Sequence, residues 1–128
     1  LAQNLTICPS VPAQYAALSA FDPSVLEQLD AQRDILAERR KLMLSCITET
    51  GLQVPVSPDG AFYLYAKLPE HFGSADDYCR DLLEQEGVAI TPGTDFGDHD
   101  AQHYVRISYA QPRAVLQQAL ERMVRFRP

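Results

Sequence analysis

Tyr104-Val-Arg-Ile-Ser-Tyr109 is the stretch on which the reading of the fold turns. Residues two apart share a face of an extended chain, so Val105, Ile107 and Tyr109 point one way and Tyr104, Arg106 and Ser108 the other. The β-branched and aromatic content suits a strand. Arg106 interrupts it. A guanidinium between β-branched neighbours must reach water, a counter-charge or a ligand, and its planar fork suits a carboxylate or phosphate bidentately, which lysine cannot copy. A strand arginine that is merely solvated or salt-bridged fits the same pattern, so the strand alone leaves both readings open.

The flanking sequence supplies a partner sheet and two helices. Phe62-Tyr-Leu-Tyr-Ala-Lys67 is a second, aromatic-rich strand, preceded by the turn sequence Ser57-Pro-Asp-Gly60. Leu52 to Val56 and Val88-Ala-Ile90 read as short strands. Ser74 caps a helix that carries Tyr78, Cys79, Leu82 and Leu83 and stops at Gly87. Thr91 to Gln102 reads as a loop with glycines at 93 and 97. Pro112 starts a last helix through Val115, Leu116, Leu120, Met123 and Val124. The order from residue 52 is β-β-α-β-β-α, which predicts an α+β, two-layer small domain with a short, mainly antiparallel sheet covered by helices.

Upstream, residues 1–9 read as extended, and Ser10 as the cap of a short helix through Ala13, Ala16, Ala17 and Ala20, whose small side chains suit close packing. Asp22-Pro23 is a helix restart: a capping aspartate, then proline at the first helical position. The helix it opens extends to about Thr50, with Gly51 as its stop, and at 1.5 Å per residue it is about 40 Å long. Its stripe is Val25, Leu29, Leu36, Met43 and Ile47, widened by Leu26, Ile35, Leu42 and Cys46. A helix of this length bridges two bodies or lies along a sheet edge. The start at Leu1 rather than methionine reads as a processed protein or a piece of a longer one.

Composition bounds the function classes. The 128 residues suffice for one cored domain, and 46% hydrophobic with 22% charged residues is ordinary for a globular protein. A net charge of −6 argues against a nucleic-acid surface, which needs a basic patch. Arg122, Arg125 and Arg127 cluster at the end, where they suit the C-terminal dipole of a helix. Cys8, Cys46 and Cys79 have no metal or redox spacing and read as small, partly buried residues of a reduced, cytoplasmic protein. No leader pattern and no bilayer-length apolar run is present, so no membrane partner is expected.

Three constellations invite chemistry. Asp95 to His103 gathers carboxylates with His99 and His103, which share a face only if that loop is helical; glycine and aspartate disfavour this, and no third histidine or cysteine is close in sequence, so no metal is expected. His71 stands alone and reads as a surface residue. Pro92-Gly93-Thr94 with Gly97 lacks a phosphate-loop lysine and precedes a strand, so its glycines imply a tight turn or a close approach to a ligand. Ser108, Cys46 and Cys79 have no histidine that sequence places beside them as a base. The tyrosines of Tyr63, Tyr65 and Tyr104 read as sheet and core residues.

Four pieces in order resemble the C-terminal small domain of class I/II, fold-type I aminotransferases, which depend on pyridoxal 5'-phosphate. They are Gln3-Asn-Leu-Thr-Ile-Cys-Pro-Ser10 with Gln14-Tyr-Ala-Ala17; Pro58-Asp-Gly-Ala-Phe-Tyr63; Gly87-Val-Ala-Ile-Thr-Pro-Gly93 with Phe96-Gly97; and Tyr104-Val-Arg-Ile-Ser-Tyr-Ala110. The resemblance covers nearly the whole chain. It implies a stub of a large domain at residues 1–22, then a small domain at 23–128 that includes a bridging helix at 23–50. It implies that Arg106 grips the substrate α-carboxylate, with Gly60, Phe62 and Phe96 lining the pocket, although Phe96 reads equally well as a core residue. The expected substrates are an amino acid and a 2-oxo acid.

The resemblance also shows what this stretch lacks. Lys41 and Lys67 are its only lysines, and neither has the context of the family's cofactor-binding lysine. No catalytic residue is therefore assigned within it, and the chain alone is expected neither to hold pyridoxal 5'-phosphate specifically nor to transaminate. Residues 1–22, deprived of a packing partner, are expected to drive a homodimer or an exchange between chains. Lyase, decarboxylase and synthase relatives share the fold and the arginine. Two rival readings stay open: a stand-alone α+β module that binds a small carboxylate through Arg106, and a structural interaction domain in which Arg106 meets no ligand.

Overall fold

The computed structural model describes residue 4 and residues 8–126. Most of the expected extended segment at 1–9 therefore lies outside the described residues, as does Arg127. The chain divides into two units, Leu1–Ile35 and Leu36–Pro128.

In the first unit, α1 spans Val11–Ser19 and buries none of its residues, so the close packing expected of its alanines is not found there. Ser10 precedes α1, but its side chain makes no capping hydrogen bond. α2, Pro23–Cys46, begins in this unit as Asp22-Pro23 predicts. Asp22 Oδ1 accepts from Ser24 Oγ at 2.7 Å and from Ser24 N at 2.9 Å, which satisfies an orphan amide of the first turn. Those two bonds hold the Asp22 carboxyl below its usual range. Leu26, Leu29 and Ile35 are exposed, so the first half of the expected stripe buries nothing within this unit.

The second unit carries the core. α2 ends at Cys46, and the chain tightens into a 3-10 turn at Ile47–Thr50 rather than staying α-helical to Thr50. Thr50 Oγ1 donates to Ile47 O at 2.6 Å, and Gly51 closes the turn at φ 87°, a left-handed conformation that glycine takes without cost. β1 (Tyr63–Lys67), α3 (Ala75–Glu86), β2 (Thr91–Pro92), β3 (Tyr104–Ser108) and α4 (Arg113–Arg125) follow. The sheet is three-stranded in the order β1-β3-β2, and both pairings are antiparallel. The α+β architecture is thus as expected.

Two strands differ from expectation. Leu52 to Val56 supplies only the bridge between Gln53 and Lys67. Pro55 falls where the next ladder amide is needed and has none to give. Val88 to Ile90 is not a strand; pairing with β3 begins at Thr91, because Val88 N still bonds Leu82 O at the end of α3. The expected loop at 91–102 therefore opens with β2 and contains 3-10 turns at Gly93–Asp95 and Ala101–His103.

Leu64, Ala66, Val105 and Ile107 project from one side of the sheet into a single cluster. They meet Tyr78, Cys79 and Leu82 of α3, Leu116, Leu120 and Met123 of α4, Met43 of α2 and Ile47 of the 3-10 turn that follows it. Ser74 caps α3 by accepting from Asp77 N at 3.2 Å. Leu83 and Val115, expected on the core faces, are exposed. Of the cysteines, Cys79 is buried and Cys46 partly so, whereas Cys8 is exposed, contrary to its reading as partly buried. Among the described residues no helix is long and apolar enough to cross a membrane.

Candidate functional site

Arg106 lies on β3, the central strand, opposite Tyr65 of β1 and Thr91 of β2. The alternation of β3 puts it on the side away from the core cluster, with Tyr104 and Ser108. Its guanidinium carbon stands 4.2 Å from the Phe96 ring centroid and 5.5 Å from that of Tyr63. Among the described residues no carboxylate pairs with it. Ring faces attract the cation without using its N–H groups, so the fork keeps its donors for an incoming anion.

Phe96 stands beside this arginine, and Phe62 immediately precedes β1. Phe62 is 46% exposed and packs edge-on against Tyr63 at 5.6 Å. Phe96 is 49% exposed, which removes the core reading that sequence allowed it. Gly60 sits in the turn just before, and a Cβ there would meet nothing within 4 Å, so no close approach demands glycine at this position. The strained residue is its neighbour: Ala61 has φ 63°, which costs a residue with a Cβ about 1–2 kcal/mol.

Two side chains hold that turn. Tyr109 Oη donates to Gly60 O and Ala61 O, both at 3.2 Å, from a buried ring at the end of β3. Arg40 Nη1 donates to Pro58 O at 3.0 Å from α2. Neither was singled out from sequence as a support. The alternation of β3 gives the face of Tyr109, but the partner of its hydroxyl lies 49 residues away in the chain.

The loop after β2 is pinned at its root. Gly93 is buried, and a Cβ added there would collide with Ala101 O and stand 2.6 Å from Tyr65 Oη and 2.9 Å from Tyr104 O. The close approach expected of Gly93 is therefore to its own chain, not to a ligand. Gly97 has open space around it. Thr94 Oγ1 donates to Asp76 at 3.1 and 3.2 Å, tying the loop to the first turn of α3. Phe96 N donates to Gly93 O at 2.8 Å, which sets the ring's starting point.

The loop at 98–103 builds something else. Asp100 is left-handed at φ 54° and only Ala101–His103 forms a 3-10 turn, so His99 and His103 do not share a helical face. His103 Nε2 lies 3.7 Å from Asp100 Oδ1. Among the described residues no three histidine, cysteine or acidic side chains converge as a metal site would require. His71 is exposed, as expected. His99 and Asp100 instead border a hollow of about 350 Å³ with Pro55, Val56, Tyr65 and Tyr104. Tyr65 and Tyr104 stack there at 5.0 Å with planes 4° apart, so these rings lie on the open side rather than in the core.

The two lysines stand apart from Arg106's ring contacts. Lys41 Nζ is ion-paired to Glu38 at 2.6 Å on an exposed stretch of α2. Lys67 Nζ lies 5.9 Å from the Tyr104 ring centroid.

The family model for aminotransferase class I and II matches residues 1–123. The chain belongs to this family. It is 38% identical to valine–pyruvate aminotransferase of Mycobacterium tuberculosis, a match covering all of this chain and 33% of that protein. Aspartate aminotransferase of Bacillus subtilis is 36% identical over 98% of this chain and 32% of its own length. A solved aminotransferase from Mycobacterium tuberculosis shares the fold with a TM-score of 0.87 at 38% identity, over 95% of this chain and 32% of that one. For the aromatic aminotransferase from Pyrococcus horikoshii OT3 the TM-score is 0.84 at 34% identity, over 96% and 33%. The chain thus spans about a third of the length of the relatives it matches, and its fold is that of the family's C-terminal domain.

Proposed function

We propose that this chain is the C-terminal, substrate-carboxylate part of an aminotransferase that moves an amino group between an amino acid and a 2-oxo acid. The observation that carries the reading is Arg106: a guanidinium on the central strand, held by ring faces, with no carboxylate partner among the described residues. A rigid strand fixes the fork, and the fork fixes the carboxylate, so that the bound amino acid presents one orientation to the reacting centre. The Phe96 ring covers one face of the guanidinium, and the charge-assisted hydrogen bonds to a carboxylate form at its edge. Gly60 and Ala61, braced by Tyr109, keep Phe62 in place.

Pyridoxal 5'-phosphate is the cofactor that membership of the family implies, and its chemistry is that of an electron sink. Lys41 is ion-paired to Glu38 and Lys67 lies near the Tyr104 ring, which supports assigning neither as the residue that binds it. The chain alone is accordingly proposed to be inactive, and the exposed Tyr15, Leu18 and Phe21 of its first unit favour association as a homodimer.

The test is amino transfer by the complete enzyme, assayed over a panel of amino acids with 2-oxo acid acceptors. Transfer with at least one pair is expected, and failure with every pair sinks the reading. The core of the second unit also suits a stand-alone carboxylate-binding module. That alternative requires the 128-residue chain to bind acetate or an amino acid through Arg106 by itself.

A further inference from the structure

We propose that Phe96 is the positioning residue of Arg106: its ring face orients the guanidinium so that the N–H edge meets the substrate carboxylate. The proposal rests on the carboxylate-clamp reading and deepens it.

Three observations carry it. The Phe96 centroid is 4.2 Å from the Arg106 guanidinium carbon, well inside the range in which a ring attracts a cation. Tyr63 is farther, at 5.5 Å. Second, Phe96 keeps half its surface in water. The ring is therefore not enclosed in the core, and it contacts the cation. Third, the backbone behind it is fixed at two points. Gly93 is wedged against Ala101 O, Tyr65 Oη and Tyr104 O, and Thr94 is bonded to Asp76. A ring on an untethered loop would add little to orientation, whereas one on a pinned root defines a plane.

The choice of an aromatic also has a chemical reason. A carboxylate beside Arg106 would orient it but neutralise it and occupy its donors. A ring holds the same cation by its face and leaves the in-plane N–H groups open. The arginine stays charged, directed and vacant.

The experiment uses the complete enzyme and a 2-oxo acid it accepts, with the carboxylate contact read through KM. Phe96→Leu keeps apolar bulk but removes the ring face, and should raise KM roughly fivefold with kcat changed less than about twofold. Phe96→Tyr restores the face and should return KM to within about twofold of the parent. Thr94→Val, which cuts the tether to Asp76, should raise KM in the same direction but less. Arg106→Lys is run alongside. If Phe96→Leu leaves KM unchanged while Arg106→Lys raises it, the positioning role is overturned and the clamp stands. If Arg106→Lys also leaves KM unchanged, the clamp falls and takes the proposal with it. Should Phe96→Leu fold poorly, the Thr94→Val and Phe96→Tyr pair decides: equal KM in both, at the parent value, overturns the proposal.

Discussion

The two sides of the small sheet come from the same strands and do opposite things. Leu64 and Val105 are fully buried and Ile107 nearly so, against α3, α4 and the end of α2. One residue along, Tyr63, Tyr65, Tyr104 and Arg106 lie on a side that keeps contact with water. The covered side is saturated: its groups find apolar neighbours and exclude charge. The open side is polar, aromatic and cationic, with stacking in place of burial. The lesson is that a period of two lets one strand build a core and a site at once, because adjacent residues never compete for the same environment.

That contrast can be broken from the covered side first. Burial pushes the Tyr78 hydroxyl up to about 12, with Cys79 adding to it, and Tyr78 Oη has no hydrogen-bond partner among the described residues. Burial, then Asp76 and Asp95, pushes the Cys79 thiol up to about 12. Both groups are neutral in the fold and ionise more easily once unfolded, so the stability linked to them is complete below pH 9 and is lost as pH rises from 9 to 12. The urea unfolding midpoint, measured at stepped pH, should fall progressively across that window. A midpoint that stays level between pH 9 and 12 would contradict the buried placement. Next in size, Leu64→Ala removes a fully buried side chain and should cost about 3 kcal/mol, read by the same unfolding series.

Attack on the open side should spare the fold. Arg106→Lys in the complete enzyme replaces a fork with a point charge, and KM for the amino acid should rise roughly thirtyfold, or about 2 kcal/mol, with the unfolding midpoint unchanged. A lowered midpoint with an unaltered KM would assign the arginine to structure alone. Tyr109→Phe sharpens the comparison, since its ring belongs to the core and its hydroxyl serves the turn beside Phe62. It should cost about 1 kcal/mol of stability through the lost bonds to Gly60 and Ala61.

How far the sequence could be read follows the same division. Local signals were legible where one short stretch sets the outcome: Asp22 ahead of Pro23, Ser74 and Gly87 bounding α3, the alternation of β3. They failed where a distant partner decides. Leu52 to Val56 has strand composition, but Pro55 cannot extend its pairing with Lys67. The glycines at 93 and 97 leave open a tight turn or a close approach to a ligand, and only the structure shows Ala101, Tyr65 and Tyr104 occupying the space beside Gly93. The expected stripe of α2 is only weakly one-sided, and within the helix only Met43, near its end, is buried, because its cover is supplied by the core of the second unit.

For the candidate site, the sequence by itself determined the residue types and their faces: an arginine on the open side of a strand, aromatics beside a turn and a loop, and the order of motifs that resembles the family. Those properties are local, set by side-chain chemistry and by the period of the backbone. Only the tertiary structure decided that Phe96 meets Arg106, that Tyr109 and Arg40 brace the turn at Gly60, and that Thr94 is tied to Asp76. Each of these joins different segments of the chain, and such contacts exist only once the fold has brought the segments together.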